Sequence, residues 1–559
     1  MTTVSKTTGL RYWMLRVLEE CDRASAGFRA DPVHDLRVAL RRCRSMADGM
    51  MAMDPDPDWK AMKKAGKRLF QSLGELRDVQ IMMEWIEKLH PSVHSGNDLG
   101  SKQAETLGAS VAPSRETLEV DQGHDPAARA LLHILQARET EQKHTARAAL
   151  EQFDRKQWRQ WSKTLPVRAS RVRPGSAAFK HLALERWAAA RELHNRAMRS
   201  RSQVALHMLR IGIKRFRYIV ENFLPAEHKL WSNDLKHVQD LLGDVHDLDV
   251  LWGTALACRV FPDESSRKAW HERIVEERSR RIEEYRQRTT GRDSWWHIWR
   301  AGLPQGKQIQ QVATQRMKLW AKALDPDFAH SERVARLALE IYDGLKGLRL
   351  LGTLPEEMNG HSDDFRSTLY IAALLHDVGK SRGNQGHHKE SQDLIKEHPV
   401  PLGWKAETMQ RAAIVARFHA GALPSRSHKT LRDLLPPEQK NITKLAAILR
   451  LANAFDSEHD GHVRRVKVEA AGAQVKSRKV VLNGHKRRVH GFLQKLPKLG
   501  KNEALVIEAE GYQPGNATAQ AIAGERYLLE MVLRHPIVVR PATASYPASK
   551  AKTYTSKGI

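Results

Sequence analysis

From Gly9 to His90 apolar residues return every three or four positions with polar residues between them, and strand-like alternation is absent. That period predicts helices over LRYWMLRVLEECDRAS, over VHDLRVALRRCRSMADGM, and from Trp59 into IMMEWIEKL. Residues 91–126 break the pattern with a Ser-, Gly- and Pro-rich stretch that reads as a flexible insertion. Helical period resumes at Ala127 and runs to about Arg300, with a basic, turn-rich break from Arg168 to Ser176; residues 303–327 join this region to the second half of the chain. A chain of 559 residues is too long for one hydrophobic core. Cores stop growing at roughly 250–300 residues, so two or three domains are expected.

The helical half repeats itself. VHDLRVALRRCRSMADGM at 33–50 aligns without gaps on LHMLRIGIKRFRYIVENF at 206–223, an offset of 173 residues. His34 then pairs with His207, Arg37 with Arg210, Arg41 with Lys214, Arg42 with Arg215 and Arg44 with Arg217. Further on, SLGELRDVQIM at 72–82 matches LLGDVHDLDVL at 241–251, and Lys60 and Lys67 fall on Lys229 and Lys236. With about 100° of turn per residue, positions 34, 37, 41 and 44 lie within roughly 80° of one helix face, as do 207, 210, 214 and 217. Cations stacked along one face repel one another, so the arrangement costs stability unless an anion sits against it. Lys60 and Lys67 are two helical turns apart, as are Lys229 and Lys236, so each repeat can line a groove from two helices. A merely solvated face is the bland alternative; its recurrence at matching positions beside apolar residues argues against it.

Charge points the same way. Lys and Arg number 92 against 65 Asp and Glu, which gives a net charge of +27 and a pI near 10 and implies an acidic partner: nucleic acid, anionic lipid or free polyphosphate. Cys21, Cys43 and Cys258 are too far apart for a disulfide scaffold or a zinc ribbon. No signal-type apolar run opens the sequence and no stretch of about 18 apolar residues occurs, so a cytoplasmic protein without membrane insertion is expected.

The paired H-x-x-R-x-x-x-[RK]-R-x-R helices, each followed by its LGE or LGD segment, resemble the CHAD domain, the conserved histidine alpha-helical domain, over about residues 8–300. The resemblance implies two four-helix bundles around a basic pore and inorganic polyphosphate as partner. It implies His34, Arg37, Arg41, Arg44, His207, Arg210, Lys214 and Arg217 as binding positions, supported by Lys60, Lys67, Lys229 and Lys236. Nucleic acid is the competing polyanion. Stacking of bases on single strands calls for aromatic rings between the cations, whereas Phe216 and Tyr218 fall on other sides of their helix.

The second half carries a different chemistry. AHSERVARLALEIYDGL at 329–345 reads as a helix with His330 at its start, and TLYIAALLHDVGKSRGNQGHHKESQDLI at 368–395 brings His376 and Asp377 to the end of an apolar helical run. His387 and His388 stand beyond it in a Gly-flanked loop, His419 in VARFHAGALP, and ILRLANAFDSEHD spans 448–460. Neutral imidazole with carboxylate suits Zn²⁺, Mn²⁺ or Fe, whereas Mg²⁺ prefers oxygen. A divalent metal so held can activate water and polarise a phosphoryl oxygen.

These segments resemble the HD-domain superfamily, and more narrowly the HD half of the exopolyphosphatase and guanosine pentaphosphate phosphohydrolase (Ppx/GppA) family. The matching residues are H-x-x-x-V-A-R-L-A from His330, L-L-H-D-V-G-K ending at Lys380, G-H-H-K-x-S from Gly386, A-R-F-H-x-x-x-L-P around His419 and I-L-R-L-A-x-A-x-D ending at Asp456. RRVKVEAAG, ALVIEAEGY and RYLLEMVLRHPIVV resemble the small α/β tail of those proteins. Two departures stand out. The actin-like domain that carries that family's phosphatase chemistry has no counterpart in residues 1–300. HD enzymes place their last aspartate where this sequence has Asn453, whose carbonyl brings no charge; Asp456, one turn on, is the substitute on offer.

The expected protein is mainly α. Two pseudo-repeated four-helix bundles span 8–300, with repeats at about 8–125 and 127–300. An all-α HD domain (315–460), a small α/β C-terminal subdomain (461–545) and a disordered tail (546–559) complete it. The expected function is polyphosphate binding joined to a metal-dependent phosphohydrolase, with Mn, Mg, Zn or Fe as cofactor. His330, His376, Asp377 and Asn453 or Asp456 hold a metal in this reading. His387, His388 and His419 extend the site to a second metal or to phosphate, and Lys380 and Arg417 stabilise developing charge. The rival reading is a non-catalytic scaffold with a degenerate HD fold that targets polyphosphate granules. Oligomeric state, metal identity and chain-length preference stay open.

Overall fold

A computed structural model describes residues 9–90, 125–200, 202–351, 364–471, 479–482, 485–488 and 503–542. Most of the expected insertion and the expected C-terminal tail lie outside these residues. The chain divides into two compact units, Met1–Met317 and Lys318–Ile559. Among the described residues the protein is mainly helical, and no helix is long and apolar enough to cross a membrane.

The first unit runs α1 (Leu10–Ser25), α2 (Ala30–Met50), α3 (Pro57–Leu89), α4 (Pro126–Glu151), α5 (Arg155–Ala169), α6 (Ala177–Ser200), α7 (Gln203–Phe223), α8 (Pro225–Ala257), α9 (Glu264–Thr289) and α10 (Trp295–Ala301). The duplication is visible in lengths: α2 and α7 have 21 residues each, α3 and α8 have 33, and α4 and α9 have 26. Within each copy the helices pack in sequence order, and α2 and α3 of the first copy face α7 and α8 of the second. Helix starts follow local chemistry. Asp56 accepts from the Asp58 N–H ahead of Pro57, Asp125 from Ala127 and Ala128 ahead of Pro126, and Ser202 from Ala205.

The core explains the period. On α2, Val33, Leu36, Leu40, Cys43, Ala47 and Met50 are buried; on α7, Leu206, Leu209, Ile213, Phe216, Val220 and Phe223 are. At one end an apolar cluster of Val79, Met82, Trp85, Leu131, Leu248, Leu251, Trp270 and Ile274 joins α3 and α4 to α8 and α9. The two copies thus share a core, and each copy's cationic face is held against the other. The segment expected to join the halves is itself mostly helical, α11 (Lys307–Leu324), and it buries Ala313, Met317, Trp320 and Ala321 at three- and four-residue spacing. The boundary between units falls within it.

The second unit contains α12 (Phe328–Gly347), α13 (Asp364–Leu375), a 3₁₀ turn at Val378–Arg382, α14 (His387–Glu397), α15 (Ala406–Arg417), the short α16 (Lys429–Arg432) and α17 (Pro436–Ala454). Then come β1 (Arg465–Ala470), β2 (Lys479–Leu482), β3 (His485–Arg488), β4 (Leu505–Glu510), α18 (Ala517–Leu533) and β5 (Ile537–Pro541). β4 is central, antiparallel to β1 and parallel to β5, with α18 in the crossover; β2 and β3 form a separate antiparallel pair. α12, α13, α15 and α17 pack together, and their ends carry the histidines.

The approach of α2 to α7 depends on Gly49. A Cβ there would lie 2.3 Å from Cε2 of Phe223, whose ring is stacked on Phe179 at 4.1 Å and has little room to move. Gly49→Leu is therefore expected to destabilise the protein by about 1–3 kcal/mol through overpacking. Urea denaturation followed by tryptophan fluorescence checks this; an unchanged midpoint would mean that the helices part without cost.

Candidate functional site

In the first unit the two cationic faces come together where α2 and α7 cross. Arg37 and Arg41 of the first repeat lie within electrostatic range of Arg210 and Lys214 of the second. The Arg37 guanidinium sits 4.3 Å from the centroid of the Phe70 ring on α3 and donates to the Phe70 carbonyl at 3.2 Å. Arg44 lies over the same ring at 4.9 Å. Nε of Arg44 and of Arg210 are buried with no hydrogen-bond partner, so these cations are not fully satisfied by the protein itself.

The titration behaviour records the crowding. Burial, then Arg210 and Arg41, push the Lys214 ammonium down to about 7, against the pull of Asp247. Arg37 is pushed down to about 10 by burial, with Asp78 opposing. Burial also lowers His34 and His207, reinforced by neighbouring cations. Desolvation in the enclosed groove raises Asp78, and raises Asp247 to about 6, although cations surround both. These two carboxylates are internal counter-ions that the sequence pattern does not single out. Their signal is the repeat itself, since both copies carry them in the segment after LGE or LGD. His246 is a further addition: its Nδ1 is 3.3 Å from Nδ1 of His207, and burial with Arg210 pushes it down to about 4.

The other expected positions are placed less centrally. Arg217 lies 3.7 Å from the Glu221 carboxylate. Lys60, Lys67, Lys229 and Lys236 are exposed on α3 and α8. Lys236 and Arg217 both act on Asp240, which puts Lys236 near the end of the stripe. Tyr218 is not remote from the cations, because Arg41 lies 5.7 Å from its ring centroid.

In the second unit, α13 buries Phe365, Leu369 and the run Ile371 to Leu375, which drives its C-terminal end, and with it His376 and Asp377, into the interior. The 3₁₀ turn beyond it is stitched to α14. The Ser391 hydroxyl donates to the His376 carbonyl at 2.6 Å and accepts from the Gly379 N–H at 2.9 Å. Only glycine fits at 379, since a Cβ would lie 2.1 Å from the His387 carbonyl oxygen. This stitch brings His387 beside Asp377 and gives a physical reason for the Gly and Ser of the two motifs.

Four imidazoles converge on the Asp377 carboxylate. His376, His387 and His419 each donate from Nδ1 to the backbone carbonyl three residues earlier, at 2.8, 2.9 and 2.8 Å. His330 donates from Nδ1 to Asp456 Oδ2 at 2.7 Å. All four therefore turn Nε2 inward, with the ring orientation fixed from behind; the Asp377 carboxylate favours a proton on His387 and raises its pKa. Nε2 of His376 is 3.4 Å and Nε2 of His330 is 4.0 Å from Asp377 Oδ2; Nε2 of His387 and His419 are 3.4 and 3.6 Å from Oδ1. His330, His376 and Asp377 form one group able to hold a metal, and Asp377, His387 and His419 a second. Asp377 belongs to both.

The donor chemistry fits a metal. Nε2 of His376 is buried with no hydrogen-bond partner, and Nε2 of His387 and His419 face each other at 3.0 Å, close enough to share one cation or the proton that Asp377 favours on His387. Burial lowers His376 and His419 and keeps them neutral. Burial opposes ionisation of Asp377, but His376, the hydrogen bond from His387, His419 and the Lys380 ammonium at 2.6 Å hold its carboxyl well below the usual range.

Asn453 Oδ1 lies 2.9 Å from His330 Nε2, so it is positioned as an oxygen donor to the first group. Asp456 is not brought to either group. Helix α17 ends at Ala454, so the one-turn spacing that would align Asp456 with Asn453 no longer holds. Its carboxylate instead stands behind His330, taking Nδ1, the Arg333 Nε at 2.9 Å and the Gly461 N–H at 2.9 Å. His388 also stays outside both groups, against Gly421 and near Arg417 and Arg450. Arg417 has a buried Nη1 with no hydrogen-bond partner. One further residue joins the site unannounced by any motif: His459 stacks on His330 at 3.8 Å and bonds Asp327 through Nδ1 at 2.7 Å.

Residues 14–256 match the sequence profile of the CHAD domain, and residues 312–490 that of the Ppx/GppA phosphatase, domain III. The chain thus carries a CHAD domain in its N-terminal half and Ppx/GppA domain III in its C-terminal part. Among solved structures, the CHAD domain from the plant Ricinus communis is similar at 20% identity, covering 52% of this chain and 88% of that one, with a TM-score of 0.32. No curated protein matches the chain.

The lowered Lys214 has a consequence for stability in the absence of ligand. Protonated, it is disfavoured in the folded state, so the unfolded chain binds more protons between pH 7 and the ordinary lysine range, and stability rises with pH through that window. Lys214→Met is expected to raise the urea midpoint at pH 6, where Lys214 is charged, and to raise it less at pH 9. An equal gain at both values would show that the charge is not what is disfavoured.

Proposed function

We propose that the N-terminal unit holds inorganic polyphosphate along the α2–α7 groove and that the C-terminal unit is an HD-type metal-dependent phosphohydrolase acting on polyphosphate or a related phosphate ester or anhydride. The observation that carries the first half is the meeting of guanidinium and ammonium groups from both repeats that Asp78 and Asp247 only partly compensate. Arg37, Arg41, Arg44 and Arg210 offer planar forks to phosphate oxygens, Lys214 adds a point charge, and the histidines add donors when protonated. Nucleic acid suits the groove less well, because Arg37 and Arg44 already occupy the Phe70 ring and leave no open face there for a base. Cytoplasmic location and association with polyphosphate granules belong to the same reading.

The observation that carries the second half is the buried, unpartnered Nε2 of His376 facing Asp377. His330, His376, Asp377 and Asn453 would hold one divalent ion, and Asp377, His387 and His419 a second. Bound there, such an ion supplies a Lewis acid that polarises a phosphoryl oxygen. The protein's own contribution is to fix the ligands: Asp456 and three backbone carbonyls set the imidazole tautomers, and Lys380 restrains one oxygen of Asp377. A non-catalytic scaffold is the second reading. It is favoured by the neutral Asn453 and by Lys380, whose ammonium sits on the oxygen that the first ion would need.

Arg37→Glu with Arg210→Glu is expected to weaken polyphosphate binding by about a hundredfold, at roughly tenfold for each charge-assisted hydrogen-bonding group removed. Titration calorimetry of the full chain, with single-stranded DNA as competitor at physiological salt, measures it. Undiminished affinity, or DNA displacing polyphosphate, would reject the groove reading.

His376→Ala with Asp377→Ala is expected to abolish Mn²⁺ or Zn²⁺ uptake by elemental analysis and, with it, phosphate release. A native protein that binds metal stoichiometrically yet turns over no polyphosphate, nucleotide or phosphate ester would favour the scaffold. One that takes up no metal would remove the hydrolase outright.

A further inference from the structure

The two flanks of the α2–α7 crossing are built differently although the repeats relate them. At the 173-residue offset, Arg42 corresponds to Arg215, Ser45 to Tyr218 and Asp48 to Glu221; carried back along α1 and α6, the same offset sets Trp13 against Arg186. On one flank Arg42 is enclosed. Its guanidinium lies 5.2 Å from the Trp13 ring centroid, pairs with Glu221 and donates to Asn222 Oδ1 at 3.2 Å.

On the other flank a cavity of about 280 Å³ remains, lined by Ser45, Asp48 and Lys63 of the first repeat and Arg186, Arg215 and Tyr218 of the second. The aromatic plug is replaced by Arg186. Asp48 pairs with Lys63, and neither Arg186 nor Arg215 has an ion pair among the described residues. The Tyr218 hydroxyl is buried there with no hydrogen-bond partner. Arg215 is exposed and Arg186 partly buried, so their unpaired forks stand open around the cavity, and a compact anion with several acceptor oxygens engages both beside the unsatisfied Tyr218 hydroxyl.

We infer that this cavity is a second anion site that takes a phosphoryl or diphosphoryl group, distinct from the groove along the cationic faces. Three cations against one carboxylate match the charge of such a group, and Tyr218 supplies the hydroxyl donor. The cavity adjoins the groove at Arg41, which lies over the Tyr218 ring. The group therefore comes either from a free short phosphoanhydride or from the end of a longer chain lying past Arg41. The second source rests on the polyphosphate reading of the groove; the site itself does not.

The test uses the full chain, titrated with pyrophosphate and with long-chain polyphosphate. Arg186→Ala with Arg215→Ala is expected to weaken pyrophosphate binding at least about tenfold, with a loss of less than about threefold for long chains, which keep the groove. Tyr218→Phe keeps the ring beside Arg41 and removes a hydroxyl that bonds nothing in the ligand-free protein. It is expected to weaken pyrophosphate several-fold without lowering the thermal midpoint, which separates an effect on the ligand from an effect on the fold. Pyrophosphate affinity unchanged in both variants, or no pyrophosphate binding by the native protein, overturns the inference. Long-chain binding that survives Arg37→Glu with Arg210→Glu would sink the groove reading while leaving the pyrophosphate result standing. Saturation with long chains that blocks pyrophosphate assigns the site to chain ends; undisturbed pyrophosphate binding assigns it to a free ligand.

Discussion

Like charges held face to face across the α2–α7 crossing are the constraint on which the first unit depends. Left to themselves, Arg37, Arg41, Arg210 and Lys214 would drive the two repeats apart; burial depresses Lys214, and Arg210 and Arg41 add to it. Three things oppose the repulsion. The apolar cluster of α3, α4, α8 and α9 clamps the copies at one end, and Gly49 lets α2 lie against Phe223. The Phe70 ring takes two guanidinium groups on its surface. Asp78 and Asp247 place one carboxylate from each repeat among the cations, enough to lower the repulsion without neutralising it.

The second unit crowds imidazole nitrogens around one carboxylate instead of cations along a groove. Four Nε2 atoms directed at one carboxylate are an unfavourable arrangement in an interior where three of the four histidines are almost wholly buried. It persists because each ring is pinned by its Nδ1–H, three times to a backbone carbonyl three residues earlier and once to Asp456. Bonds of that kind are made locally, as the chain turns out of a helix. The site is therefore organised by the ends of α13 and α15 and the start of α14, before any ligand contributes. Both units thus place unsatisfied polar groups where the fold is rigid enough to carry them.

How much of this could be read in the sequence depended on whether the signal was periodic. The helices, the duplication and the cationic stripes all repeat at helical spacing, and the HD-like motifs keep fixed short spacings, so both were legible. What escaped depends on where an element ends or on which distant residue completes a contact. Asp456 is interchangeable with Asn453 only if the helix continues; it stops at Ala454, and the two side chains serve opposite nitrogens of His330. Asp78, Asp247 and His246 sit inside a segment that matches between repeats, but a match does not tell which way a side chain points. His459 carries no spacing signal at all. Its position over His330 depends on a left-handed backbone at φ 58° past the end of α17 and on its bond to Asp327.

The counter-ions also bear on what kind of anion the groove can hold. An isolated small anion would have to displace Asp78 or Asp247 from its cations and then lie beside a carboxylate, which offsets much of the attraction. A long polyanion presents charge along the whole stripe, engages cations of both repeats together, and raises the local affinity of those carboxylates for protons. Asp247, which burial raises to about 6, is the carboxylate that a bound polyanion would protonate first. Duplication is what sets two such stripes face to face: a single copy would offer its four-residue stripe to one side of a ligand, whereas the paired copies would enclose it from two, with Asp78 and Asp247 between them.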